Sequence, residues 1–486
     1  MEFPFSPSNL PLQMFVNNEY MDTKNPQKLT LLNPMDGSLV SNKVPVAGQE
    51  DVDLAVAFAE KATRAWKKIA PSERCQMMMK FADLLEQYCG QLGELTRLTL
   101  GSTPAFNQFE GSMAAQGMRY NAGWIDKFSG ETYPQDDGFL KIVRNEPLGV
   151  TAGIVPWNGP LVTVGLKAAP ALATGNCFIF KPSEKTPFAA LALGPLIKAA
   201  GFPPGVFQVL PGDGSTGAIM SSHMGIRKIS FTGSCATGKK IQEMAAKSNL
   251  KRVTLELGGK SPAVIFDDCD IDNAVKWTVD AITSGSGQTC FAASRVYVQN
   301  GIYDKFMEKY IQGMKIKAEV MGNPEAQGTE LGPMVDRAQY ERVSGFIQRG
   351  QTQGKLLIGG PRPGDKGLFI EPTVFESPDS TSEIHTQEIF GPVSVVSRFS
   401  TEEEVMKLSN NTNFGLMAGV FTQDINKAMR IASEFDAGMV GINCISLMFL
   451  NAPFGGTKES GIGRECGLSA LKAFTETKTV MVNLTY

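Results

Sequence analysis

The spacing of apolar positions changes character along the chain. Val52, Val56, Ala59, Ala62, Trp66 and Ile69 fall near a helical repeat, which predicts an amphipathic helix over 51–69. A second helix is expected from Pro71-Ser72-Glu73, because proline is tolerated in a first helical turn. From residue 150 onward, short apolar runs alternate with helical stretches. The runs at 150–155 (closed by Pro156), 177–180, 206–210, 229–231 and 253–257 read as buried strands, and 186–200 reads as a helix. Runs at 263–266, 393–399 and 419–421 repeat the texture. The alternation predicts an α/β fold with parallel sheets covered on both faces, in two domains. Ligands of such sheets bind beyond the carboxyl ends of the strands.

Length agrees, since 486 residues exceed what one hydrophobic core usually serves. Lys plus Arg at 46 against Asp plus Glu at 49 leaves a net charge of -3 with no basic stripe, so no nucleic-acid partner is expected. No run approaches the ~20 apolar residues of a membrane span. Residues 1–10 lack the basic start and apolar run of a signal peptide, and 482–486 carry no common address. Eight cysteines without a CxxC pair read as reduced thiols in a cytoplasmic protein. His223 and His385 are the only histidines, and both are expected at the surface. A Ser-His-Asp triad or zinc site is therefore disfavoured, and no metal is expected.

Residues 233–240, Gly-Ser-Cys-Ala-Thr-Gly-Lys-Lys, follow a strand and open a helix. A phosphate-cradling P-loop needs Ser or Thr after its lysine; Lys240 stands there, which disfavours a nucleotide triphosphatase. The run also misses the GxGxxG fingerprint. Glycines before a helix N-terminus still suit a phosphate, although a ligand-free turn accounts for the loop equally well.

Two other runs carry chemistry. Cys290 ends Ser-Gly-Ser-Gly-Gln-Thr-Cys, small residues that let a substrate approach a thiol. Glu256 lies in Leu-Glu-Leu-Gly-Gly-Lys. A cysteine nucleophile with a glutamate base suits a reaction through a thioester. Taken singly, each has a plainer reading: Cys290 as an inert packing residue, Glu256 as a solvated turn residue, and Asn158 before Gly159 as a turn.

In order along the chain come Pro156-Trp-Asn158, 170–176 (Pro-Ala-Leu-Ala-Thr-Gly-Asn), Lys181-Pro-Ser-Glu184, Phe231-Thr-Gly-Ser234, the glutamate run, Gly287-Gln-Thr-Cys290, 388–393 (Glu-Ile-Phe-Gly-Pro-Val) and 453–456 (Pro-Phe-Gly-Gly). This set resembles the NAD(P)-dependent aldehyde dehydrogenases of the soluble, non-acylating type, over about 15–482. The resemblance implies a Rossmann-like cofactor domain from 1–124 and 148–257, a catalytic domain over 258–458, and an oligomerisation element from 125–147 and 459–486. It implies Cys290 as nucleophile, Glu256 as general base, Asn158 as oxyanion donor and Lys167 as an aid to proton release. Lys181 and Glu184 would hold the adenosine ribose, with Trp157, Gly214, Gly233 and Ser234 lining the adenine and pyrophosphate side. Glu388 and Phe390 would position the nicotinamide end. A carboxylate at 184 favours NAD, with NADP left open. Arg252, Arg464 and Glu476 correspond to a charge network near a subunit interface, and a homodimer or homotetramer is expected.

The chain departs from its small-aldehyde relatives at Gly159, Thr163 and Leu166, which replace bulkier residues, and at Phe291, which replaces a smaller one. With Met448, Phe449 and Phe454 added as apolar lining, the expected substrate is a bulky or aromatic aldehyde. The rivals are a coenzyme A-acylating dehydrogenase, which would lack the Glu256 base, a non-catalytic structural or binding protein of the same fold, and a thiol esterase.

Overall fold

The computed structural model describes residues 2–362 and 367–485. Met1 and Tyr486, at the ends read above for targeting signals, lie outside them. Five of the strands read from apolar runs form the middle of one eight-stranded sheet. Its order is Glu19–Met21, Met14–Val16, Phe207–Val209, Cys177–Lys181, Val150–Ile154, Lys228–Thr232, Arg252–Glu256, Gly461–Ile462. The central five are parallel, and two antiparallel strands close one edge and one the other. The chain moves outward from Val150–Ile154 in one direction, then returns to place Lys228–Thr232 on its other side. That reversal is a topological switch point, where a crevice opens outside the strand ends.

A second sheet of seven strands runs Lys355–Pro361, Ile370–Glu376, Val393–Phe399, Arg295–Gln299, Pro262–Ile265, Met417–Phe421, Met439–Ile442, parallel except for the first pair. A three-stranded antiparallel sheet stands apart. It is made from the hairpin Glu131–Tyr133 and Phe139–Pro147 with the C-terminal strand Thr475–Asn483. The first sheet is covered by Gln49–Trp66, Pro71–Gln87, Gly214–Ser222 and Cys235–Lys247, among other helices. Among the described residues no helix is long and apolar enough to cross a membrane.

Three expectations need correction. The helix expected over 51–69 runs Gln49–Trp66, so Ile69 lies in the turn before Pro71 starts the next helix. The helix expected over 186–200 is two, Phe188–Leu191 and Gly194–Ala200. Pro195 has no N–H to donate to the Leu191 carbonyl, so the helical bond that would join the two is missing. Gly194 also lies where a Cβ would fall 2.4 Å from the Phe15 ring, so the chain bends to let the N-terminal strand pack there. His385 is not a surface residue: it is buried, with Nε2 2.9 Å from the Tyr297 hydroxyl, and burial draws its pKa down to about 4. His223 is half-buried beside Asp53.

Candidate active site

The thiol is presented by a distorted turn. The helix Ile271–Thr283 gives way to three consecutive residues with left-handed backbone: Gly285 (φ 58°), Ser286 (φ 57°) and Gly287 (φ 71°). Ser286 is strained there and is held by its hydroxyl, which donates to the Gly332 carbonyl at 2.7 Å. Gln288 clamps the turn from the other side, accepting from Val335 N–H at 3.0 Å and donating to the Gly285 carbonyl at 3.1 Å. The thiol of half-buried Cys290 follows two residues later. Burial pushes it up, and the charges of Glu388 and Glu256 push the same way, while the backbone N–H groups of Cys290 and Phe291 oppose them.

The glycine pair at 258–259 has a steric reason. A Cβ on Gly259 would lie 2.4 Å from the Cys290 carbonyl oxygen, and one on Gly258 would lie 2.1 Å from the Glu388 carboxylate. The pair thus lets the end of the first sheet meet both the thiol loop and Glu388, whose Oε1 accepts from Gly259 N–H at 3.1 Å. Burial raises Glu388 to about 7 against the pull of that N–H, Arg342 and Lys260.

Glu256 is the last residue of its strand and is 2% exposed, with no hydrogen-bond partner to either carboxylate oxygen. Burial and the charge of Glu465 hold its pKa well above the carboxylate range, against Lys167 and Arg464. Gly455, at φ 146°, leaves the space beside it: a Cβ there would sit 2.6 Å from Oε1. Asn158 follows the strand Val150–Ile154 and donates Nδ2 to the Gln288 carbonyl at 2.8 Å, which draws its amide onto the thiol loop. Lys167 lies in a widened turn, Val164–Ala168, where Ala169 N–H reaches back five residues to the Val164 carbonyl. Its ammonium is buried, paired with Glu465 and donating to Ser230 Oγ at 3.1 Å.

Two carboxyl groups here were not among the residues singled out from sequence. Glu465 is buried against Lys167, and its only local signal was the neighbouring Arg464. Glu110, on the helix Pro104–Ala122, braces the loop behind Asn158 by accepting from Val162 N–H at 3.4 Å; burial raises it to about 8.

Around the thiol, an apolar cluster gathers residues from turns and loops that are distant in the chain: Leu166, Leu416, Phe454 and Cys466, with Phe291, Met448 and Cys290 packed against them. Phe291 and Phe454 meet edge to face at 5.7 Å. Gly159 and Thr163 are buried, a Cβ on Gly159 would lie 3.0 Å from Val162, which packs against that cluster, and the Thr163 hydroxyl is spent on the Pro160 carbonyl at 3.0 Å. Phe449, expected as lining, is 59% exposed.

The candidate cofactor residues lie at or just beyond the carboxyl ends of the first sheet's strands, beside the switch point. Lys181 ends its strand with Nζ donating to the Pro182 carbonyl at 2.9 Å; burial lowers it to about 8 against Glu184 and Asp213. Gly233 and Ser234 cap the helix Cys235–Lys247, and a Cβ on Gly233 would strike the Phe231 ring at 2.5 Å. Gly214 opens the helix Gly214–Ser222 with free space around it. Trp157 stands edge-on to Phe390 at 5.3 Å. Two helix N-termini, small residues at their mouths and a lysine with flanking carboxylates make a donor set that fits a dinucleotide. Of the charge network, Arg252 pairs with Glu476, while Arg464 donates to the Gly456 and Gly463 carbonyls instead.

The aldehyde dehydrogenase family model matches residues 20–480. An aldehyde dehydrogenase of Agaricus bisporus is 44% identical, covering 97% of this chain and 95% of its own length. Retinal dehydrogenase 2 of Homo sapiens is 44% identical, covering 97% and 92%. Among solved structures, betaine aldehyde dehydrogenase of Staphylococcus aureus in complex with NAD+ superposes with a TM-score of 0.95 at 34% identity, over 99% of this chain and 96% of that one. Identity at this level, sustained from end to end, admits one conclusion: the chain belongs to the aldehyde dehydrogenase family.

Proposed function

We propose that the protein oxidises a bulky or aromatic aldehyde to the free carboxylic acid with NAD, through a thioester on Cys290. The observation that carries the reading is the buried Glu256 carboxyl with both oxygens unpartnered, close enough to Cys290 for its charge to act on the thiol. A desolvated carboxyl with a raised pKa is a stronger base than a solvated one once it has lost its proton.

The Cys290 sulfur adds to the aldehyde carbon. The oxygen that gains charge is met by the Cys290 backbone N–H and by the second N–H of the Asn158 amide, the first being held by the Gln288 carbonyl. One such donor contributes about 3–4 kcal/mol to lowering the barrier. NAD, when bound, supplies the hydride acceptor. Lys181 and Glu184 would hold its ribose, the N-terminus of the helix Cys235–Lys247 its phosphates, and Glu388 with Phe390 its nicotinamide end. Glu184 would repel a 2′-phosphate, which favours NAD over NADP. Glu256 then takes a proton from water, which attacks the thioester carbonyl, and the Cys290 sulfur leaves. A base at this position suits water as the attacking group, where coenzyme A as acceptor would need none.

The substrate reading is supported by the Leu166, Phe291, Met448 and Phe454 cluster against the thiol. The predicted result is a kcat/KM for benzaldehyde-sized or larger aldehydes well above that for acetaldehyde; comparable values contradict the size assignment. Assembly into a homodimer or homotetramer is supported by the three-stranded sheet, whose outer strand leaves Met481 70% and Val482 41% exposed. Eight free thiols suit a reducing, cytoplasmic setting.

The test of the reaction follows NADH absorbance over an aldehyde panel, with and without coenzyme A, for native protein and C290A. NADH formation that needs Cys290 and is indifferent to coenzyme A is expected. Formation that requires coenzyme A sinks the hydrolytic reading.

A further inference from the structure

One face of the first sheet is polar in its interior. The parallel strands Lys228–Thr232 and Arg252–Glu256 pair Lys228 with Arg252, Ser230 with Thr254 and Thr232 with Glu256. Alternate residues of a strand share a face, so these six side chains form a single ladder. Parallel strands covered on both sides ordinarily carry apolar side chains throughout. Here Lys228 and Ser230 are each 1% exposed, Glu256 2% and Thr254 5%. Lys167 and Glu465 are laid onto the ladder at its middle: Lys167 donates to Ser230 Oγ, and Glu465 accepts from Lys167 and from Ser230 at 3.0 Å. Gly153, opposite Ser230 on the adjoining strand, makes room for the Phe178 ring, which a Cβ there would meet at 2.6 Å, and Lys167 Cδ lies at contact distance beside it.

The upper rung, Glu256, faces the active site. At the lower end Lys228 donates to Thr254 Oγ1, with Nζ 4.7 Å from the centre of the Phe474 ring. Below it Arg252 reaches the surface and pairs with Glu476. A buried ammonium with one neutral acceptor is costly, and an apolar side chain would cover Phe474 without that cost. Packing alone therefore gives no reason for a lysine.

We infer that Lys228 is a positioning residue for thioester hydrolysis: the cation at the base of the ladder that, across the Lys167–Glu465 pair, sets the readiness of Glu256 to accept a proton. This rests on Glu256 being the base. The charged groups acting on Lys228 are Lys167 and Glu465 on the ladder and Arg252 on the neighbouring strand; those acting on Glu256 are Glu465, Lys167 and Arg464. Burial, Lys167 and Arg252 draw the Lys228 ammonium down to about 7 against Glu465, so the charge at this end of the ladder changes within the working pH range. A cation here favours an unprotonated Glu256 above it. Without it, Glu256 keeps its proton to higher pH.

The test is the pH dependence of acyl-Cys290 breakdown in wild type, K228M, K228R and T254V, each assayed as the full-length enzyme with NAD and aldehyde. K228R keeps a cation at every pH and does not move the acid limb upward. K228M moves it to higher pH by about half a unit or more, with the NADH burst unchanged. T254V, which removes only the ammonium's acceptor, moves it the same way by less, and decides the matter if K228M does not fold. An unmoved acid limb in folded K228M, or in T254V where K228M fails, overturns the proposal. So does a K228R profile displaced as far as that of K228M. E256Q run alongside separates the two levels: breakdown at the wild-type rate in E256Q removes the base assignment and this proposal with it, whereas slowed E256Q with an unmoved K228M removes Lys228 alone.

Discussion

At Cys290 the protein surroundings oppose the thiolate, through burial first and then through Glu388 and Glu256. Glu388 titrates near neutrality, so its charge bears on the thiol above about pH 7 and fades below it. E388Q should therefore speed alkylation of Cys290 by iodoacetamide at pH 8 roughly three- to tenfold, with little change at pH 6; equal rates at pH 8 contradict the coupling. N158A should lower kcat about 10²- to 10³-fold while the protein keeps its thermal midpoint. Cys290, Glu256 and Asn158 were legible in the sequence because each sits in a run whose neighbours are constrained, such as the glycine pair that admits the Cys290 carbonyl and the Glu388 carboxylate. Glu465 and Glu110 were not. A carboxyl buried against a partner distant in sequence has the same local pattern as a solvated one, and Lys167 lies nearly three hundred residues from Glu465. His385 was misjudged for the same reason, its partner Tyr297 being remote in the chain.

Elements were read well where one periodicity ruled and poorly where packing interrupted it. The central strands of the first sheet agree with the apolar runs to within a residue or two, because each keeps at least one apolar face, even Lys228–Thr232 and Arg252–Glu256, where alternate positions are polar. The break between Phe188–Leu191 and Gly194–Ala200 was hidden, because the approach of Phe15 that shapes it comes from the far N-terminus. The turn before the thiol shows the opposite case. Its small residues were visible, and the structure supplies the reason in three left-handed positions and a backbone pressed against the 391–392 peptide. A Cβ on Gly287 would lie 2.2 Å from the Gly391 carbonyl carbon, at φ 71°. G287A should accordingly lose stability by about 1–3 kcal/mol and lose activity beyond what that loss explains. A variant with the wild-type melting temperature and turnover would contradict this account of the turn.

On the scale of the whole molecule, the reaction needs both large sheets. Glu256 and Lys181 end strands of the first, the thiol loop leads into the second at Arg295–Gln299, and the apolar cluster around Cys290 is built from the turns and loops beside them. The small third sheet contributes none of the candidate site residues and exposes apolar side chains on its outer strand. M481E should lower the molar mass measured by light scattering toward that of a smaller assembly, and an unchanged mass would exclude that strand from the interface. The central claim is that the acyl group is carried on Cys290 and released by Glu256. Its most direct test is rapid acid quench of E256Q during turnover with NAD and an oxidisable aldehyde, followed by peptide mass analysis. The account predicts an acyl adduct on the Cys290 peptide that accumulates toward one per subunit in E256Q and remains scarce in wild type. An E256Q enzyme that turns over normally, or that stalls with Cys290 unmodified, would contradict it.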